Sequence, residues 1–189
     1  MICTTPLTEA AFDLFLKENP RWDSEYRQAL VEQKLVTENY LINDKPAEIS
    51  PDSVCSVSWF AARAYCQWLN SRLPPSMAGY EVRLPLEAEW EYALNLLINS
   101  NSSGMQQFPL IMDRLAEWCA DPFVPLDYIP ASPDAIRILG SPERSVRGGV
   151  NSANLTDYQT RASLPPAFCS SFVSFRPVIT VKNPIWLTE

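Results

Sequence analysis

The side chains that most often carry enzyme chemistry are unevenly supplied in this chain. It has no histidine, which removes the commonest general base, the commonest zinc ligand and every Ser/His or Cys/His pair. Five cysteines are present, Cys3, Cys55, Cys66, Cys119 and Cys169. None stands in C-x-x-C spacing, and their odd number leaves at least one unpaired unless two chains cross-link, so a reducing compartment is the simpler expectation. The five glycines include one adjacent pair, Gly148 and Gly149. With no P-loop and no G-x-G-x-x-G, the backbone cradle that nucleotide phosphates require is missing.

Charge and length narrow the partners. Fifteen Lys and Arg against 22 Asp and Glu give a net charge of -7 and a pI near 4.7, a surface that repels polyanions, so nucleic acid is not an expected partner. No apolar run is long enough to cross a bilayer, and residues 1–6 carry neither the basic nor the apolar region of an export signal. A cytoplasmic location is therefore expected, or an exported one if an N-terminal part is missing. With 189 residues, 47% of them hydrophobic and 20% charged, the chain is expected to form one domain over 1–189 that buries roughly 70% of its unfolded surface.

Helical patterns crowd into the first half. Thr8 can cap a helix whose Phe12, Phe15 and Leu16 recur at three-and-four spacing until Asn19 and Pro20 stop it. Asp23 or Ser24 can open a second, running towards Lys34, and Ser58 a third reaching about Ser71 with Ala61, Ala64, Tyr65, Trp68 and Leu69 on one stripe. Pro85 suits a first helical position, with Glu87, Glu89 and Glu91 near the positive end and Trp90, Leu94 and Leu97 apolar, ending near Asn99. Residues 99–104 read as an exposed loop. Beyond Asp121, Pro122, Pro125, Pro130, Pro133 and Pro142 predict loops and very short strands. The convincing strand patterns there are 145–149 and 172–181, the latter interrupted by Pro177.

Four segments in fixed order carry a family resemblance. They are Val57-Ser58-Trp59 with AARAYCQWLNSRLP, then YEVRLPLEAEWEYA at 80–93, AEWCADPF at 116–123, and SVRGG at 145–149 followed by Arg161 and SFRPV at 174–178. Together with PLTEAAFDLFL near the start, they resemble the formylglycine-generating enzyme family, the sulfatase-modifying factors. The resemblance covers residues from about 6 to 178. It implies an α+β, C-type-lectin-like fold, with a small twisted antiparallel sheet, two main helices and much irregular loop. It also implies a domain shortened at its N-terminus, leaving a sheet edge or gap that a paralogous chain could complete.

In active members of that family a cysteine pair binds copper and molecular oxygen and oxidises a sulfatase cysteine to formylglycine. The resemblance puts that pair at residues 150–160, which here read VNSANLTDYQT and contain no cysteine. Soft Cu(I) and oxygen reduction both call for thiolates, and neither Ser152 nor Thr156 can replace them. The family's calcium element reads Asp113-Arg114-Leu115-Ala116-Glu117-Trp118, placing a cation where a neutral amide should donate oxygen. Glu117 is then expected to cap a backbone or to pair with Arg114. Arg83, Arg147 and Arg176 are expected to clamp carboxylates such as Glu87, Glu89 or Glu117, and Trp59, Trp68, Trp90 and Trp118 to lie in the core.

No catalytic residue, metal or cofactor is therefore expected. The function that follows is a noncatalytic module binding a protein or small ligand through the 150–171 loops. Related lectin-like bacterial domains diversify this region for binding. Asn151, Asn154, Asp157, Tyr158, Gln159 and Phe168 combine adaptable polar groups with aromatics and are the candidate contacts. Two alternatives stand beside it: an oxidase with relocated cysteines, Cys169 among them, acting on a protein cysteine, and a regulatory subunit of a full-length paralogue.

Overall fold

Backbone N–H groups left open at helix starts find side-chain acceptors at the positions the sequence offers. The computed structural model describes residues 1–47, 49–99, 115–124, 142–149 and 161–182. Helix α1 spans Glu9–Glu18, α2 Arg27–Glu32, α3 Trp59–Asn70 and α4 Glu87–Asn99. The Thr8 hydroxyl accepts from Ala11 N at 3.3 Å and Ser58 Oγ from Ala61 N at 3.1 Å, as the cap reading expects. The Asp23 carboxylate accepts from Glu25 N, but the turn it opens, Ser24–Tyr26, is 3-10 before α2 begins. Pro85 lies ahead of α4 rather than at its first position. Its carbonyl accepts from Ala120 N, and the helix starts two residues on, with Glu89 Oε2 accepting from Leu86 N and Asp121 Oδ2 from Glu87 N. The 99–104 loop reading falls, beyond Asn99, outside the described residues, as do the Leu97 side chain and the Pro-rich reading over 125–141.

The strands are β1 Tyr80–Arg83, β2 Ala116–Pro122, β3 Arg144–Gly148, β4 Arg161–Leu164, β5 Val173–Ser174 and β6 Val178–Val181. They form a four-stranded sheet, β4-β3-β2-β5, and a two-stranded one, β1-β6. Pairing is antiparallel except between β2 and β5. Strand β2 is one the sequence patterns did not announce, whereas β4, four residues long, is among the very short strands expected beyond Asp121. β2 escapes a simple alternation search because both its faces are buried: Trp118 points into the main core while Glu117 and Cys119 point the other way.

The main core joins α1, α3 and one face of the larger sheet. Phe12 meets Phe15 at 5.2 Å and Tyr65 at 5.9 Å between ring centroids, and Tyr65 meets Phe175 at 5.6 Å. Trp118 and Val146, opposite each other on β2 and β3, close it from the sheet side. Two indoles cross-tie the entry of α3 to β2: Trp118 Nε1 donates to Val57 O at 2.9 Å and Trp59 Nε1 donates to Cys119 O at 2.9 Å. Trp59, Trp90 and Trp118 are buried as expected, while Trp68 is half-buried with Nε1 donating to Glu18.

Both flanks of the two-stranded sheet are occupied where Val82 faces Ile179. Asn70, the last residue of α3, donates through Nδ2 to Val82 O and accepts from Val82 N at Oδ1, each at 2.7 Å. Its carboxamide thus replaces a neighbouring strand. On the other flank the Met1 nitrogen donates to Ile179 O and Ile179 N donates to Met1 O, both at 2.8 Å, with an isolated bridge between Ile2 and Val178. Among the described residues no helix is long and apolar enough to cross a membrane. Asn70→Ala strands both Val82 groups, so unfolding in urea should show a loss of about 1–3 kcal/mol, with faster amide exchange at Val82.

Candidate functional site

The second face of the larger sheet, beneath α4, is charged. Residues opposite one another on neighbouring strands share a face, and the register sets Glu117 against Arg147 and Arg147 against Arg161. Two arginines side by side repel, so this row needs carboxylates, and α4 supplies them. Glu87 and Glu91, one helical turn apart, bracket Arg147 Nη1 at 3.5 and 3.2 Å. Arg161 reaches Glu87 through Nε at 2.5 Å and Nη2 at 2.9 Å, and Ser145 Oγ donates to the same carboxylate at 2.5 Å. Arg147 also stacks over the Trp90 ring at 5.4 Å. At the helix start, Arg83 holds Glu89 with two bonds of 2.7 Å.

The deepest pair is Glu117 with Arg176, each 1% exposed or less. Arg176 donates from Nε to Oε2 at 2.5 Å and from Nη2 to Oε1 at 2.8 Å, a bidentate fork. Trp90 Nε1 adds a third donor to Oε2 at 3.0 Å, and Arg176 Nη1 donates to Cys3 O at 2.8 Å. The expected pairing of Arg83, Arg147 and Arg176 with Glu89, Glu87 and Glu117 is what the structure shows. The expectation that Glu117 caps a backbone or pairs with Arg114 is corrected, since both its oxygens are taken by Arg176 and Trp90; Arg114 itself lies outside the described residues. A carboxylate so engaged does not fit a calcium site, which needs its oxygens free.

The thiols do not fit a copper site either. Among the described residues no group of three or more Cys, Asp and Glu is arranged to hold a metal ion. Cys169 and Cys66 belong to the main core, Cys119 sits with Trp90 and Leu94 under α4, and Cys55 packs with Ile49 and Leu115. The Cys169 Sγ donates to Ala167 O at 3.4 Å, and Cys119 Sγ to Glu117 O at 3.9 Å. Burial pushes Cys66 up to about 12 and Cys169 up to about 11, and it pushes Cys119 well above the ordinary thiol value. A thiol held protonated by burial is a poor ligand for a soft cation, which takes thiolates; the fifth cysteine, Cys3, is exposed.

Of the expected ligand contacts, Asn151, Asn154, Asp157, Tyr158 and Gln159 lie outside the described residues. Phe168 is half-buried against the main core, its N–H donating to Pro165 O at 2.9 Å. The strands that deliver and receive the 150–160 segment are described, and both are pinned. Arg147 and Arg161 face each other in register and share Glu87. Gly148, at φ 76°, passes so close to β2 that a Cβ there would lie 2.8 Å from Leu115 O. Arg161, Ser145 and the Asp121 cap were not singled out as partners of α4, because their convergence is set by strand register rather than by spacing along the chain.

Two tests follow. Arg176→Met leaves Glu117 buried without compensation, and equilibrium unfolding should show a loss of about 3–5 kcal/mol that Glu117→Gln in the same chain partly restores. For acid stability, burial pushes Glu87 and Glu89 up, and the bonds from Arg161 and Ser145, and from Arg83 and Leu86 N, outweigh it, leaving both below 4.5. A carboxyl with a depressed folded value stabilises fully above its unfolded value and loses that contribution as pH falls through the folded one. Glu87→Gln should therefore flatten the fall in stability as pH drops below the ordinary glutamate range.

Comparison with known proteins agrees with this architecture. The family model for the sulfatase-modifying factor enzyme 1-like domain matches residues 1–109. A Borreliella burgdorferi protein described as uncharacterized is 35% identical over 85 residues, which make up 45% of this chain and 16% of that protein's length. Treponema denticola variable protein 1 superposes with a TM-score of 0.54 at 17% identity, over 96% of this chain and 84% of its own. CarF, known from a crystal structure, superposes with a TM-score of 0.53 at 13% identity, over 96% and 86% of the two chains. At such identities the structural likeness speaks to fold, and the fold is the α+β one expected. With the family match extending over more than half of its 189 residues, the chain belongs to the sulfatase-modifying factor enzyme 1-like family.

Proposed function

We propose that this chain is a noncatalytic member of its family, a module that binds a protein or small ligand through the surface carried by residues 150–171. One observation carries the reading: the segment 150–160, where the family resemblance puts the oxygen-activating cysteine pair, contains no cysteine. Of the thiols, Cys66, Cys119 and Cys169 are buried and their pKa values are raised by that burial. What is kept is the charged frame on which that segment begins and ends.

A frame retained without its reactive thiols suits presentation of a surface. Asn151, Asn154, Asp157, Tyr158 and Gln159 supply hydrogen-bonding groups and one aromatic ring, and Phe168 a second. A strand added to the smaller sheet is a poorer mode of association, because Val82 and Ile179 already have their backbone groups bonded to Asn70 and Met1.

The test is chemical. Reduced protein is titrated with Cu(I) and then incubated in air with a peptide carrying a sulfatase-type cysteine, with mass spectrometry following the cysteine. Expected are no tight stoichiometric copper binding and no aldehyde. Stoichiometric binding that disappears in Cys169→Ser, with conversion of the peptide, would overturn the proposal in favour of an oxidase with a moved site.

A further inference from the structure

The arginines under α4 and at its start all hold carboxylates, but Arg63 and Arg144, which share a cleft, do not. Arg63, exposed on α3, and Arg144, half-buried at the start of β3, stack on the same indole, with guanidinium carbons 4.7 and 4.2 Å from the Trp59 ring centroid. Among the described residues neither has a salt-bridge partner. Arg144 makes one long bond, from Nη1 to Ala120 O at 3.5 Å, and its buried Nε has no acceptor. Both line a cleft of about 460 Å³ between α3, β1 and the β2–β3 pair, a volume within the range of roughly 300–1,000 Å³ typical of small-molecule sites. The third arginine of the cleft, Arg83, is committed to Glu89 and leans on Glu81.

We propose that this cleft is an anion site, in which Arg63 and Arg144, braced on Trp59, seat one oxyanion group of a small molecule, a carboxylate or a phosphate.

Two like charges gathered on one ring in a chain of net charge -7 are a standing electrostatic cost that a bound anion would relieve. Burial first, and then the charge of Arg63, lower Arg144 from its usual value, and the smaller opposing pull of Asp121 does not cancel them. Stacking on an indole leaves the edges of a guanidinium, where its N–H donors lie, available for oxygen acceptors. Gln67, also exposed on the cleft wall, adds an amide one turn from Arg63. The site is independent of the 150–171 surface and of thiol chemistry, so neither reading stands or falls with the other.

The full chain is titrated with sodium phosphate and, separately, sodium acetate, ionic strength being held constant with chloride. Calorimetry and the Trp59 indole N–H resonance report binding. Expected is saturable one-to-one binding of at least one probe; saturation by phosphate alone marks a tetrahedral oxyanion, and by acetate alone a planar one. Arg63→Gln, an exposed change that leaves the core intact, should weaken binding on the order of tenfold or more, and Arg144→Gln similarly. Arg72→Gln, which removes another arginine stacked on an indole but paired with Glu18, should leave it unchanged. Absence of saturation by either probe overturns the site. So does binding that survives Arg63→Gln, or that Arg72→Gln weakens equally, since the effect would then be one of overall charge.

Discussion

A carboxylate buried with its guanidinium at the junction of four chain segments constrains everything around it. Glu117 comes from the central strand and Arg176 from the turn between β5 and β6. Trp90 adds an indole donor from α4, and Cys3 offers its carbonyl from the first residues of the chain. In low dielectric the pair is tolerable only if every donor and acceptor finds its counterpart, and here a bidentate fork, an indole and a carbonyl provide them. Such a pair adds little net stability over a well-packed apolar substitute. It does penalise any arrangement in which one of the four segments is displaced, because a buried charge would then be left alone.

The larger sheet is consequently two-faced in an unusual sense. One face, with Trp118 and Val146, is apolar and packs on α1 and α3; the other, with Glu117, Ser145, Arg147 and Arg161, is ionic and is covered by α4. Both faces lie under helices, yet the pleat keeps them chemically separate, since consecutive side chains point to opposite sides. The ionic face also holds the ends of β3 and β4 together through Glu87. Any ligand-binding role of the segment between those strands would therefore be exercised from a rigid base.

The chain has its family's α+β fold, and its segment 150–160 contains no cysteine. Four of its five thiols are buried like small hydrophobes; Cys55, Cys119 and Cys169 donate weak bonds to nearby carbonyls, and burial raises the pKa values of Cys66, Cys119 and Cys169. A contrast separates its arginines. Those under α4 have become structural through carboxylate partners, whereas Arg63 and Arg144 have no salt-bridge partner among the described residues and stack on one indole. A shared fold does not carry a shared chemistry.

Local features are legible in the sequence alone. Thr8 and Ser58 announced their helices because an N-cap is a contact over three residues, and the aromatic stripe of α3 because helical periodicity is short-range. The pairing of conspicuous arginines with conspicuous glutamates could be anticipated from charge and family resemblance, and the missing cysteines from the segment itself. The strand character of β2 could not be read so, because burial on both faces erases alternation. Nor could the start of α4 two residues beyond Pro85, which depends on Asp121 arriving from another strand. The joining of Glu117 to Arg176, 59 residues apart, rather than to nearby Arg114, and the meeting of Arg63 with Arg144 on one indole, belong to the tertiary structure. Periodicity and capping act within a few residues, whereas strand register and packing decide which distant charges meet.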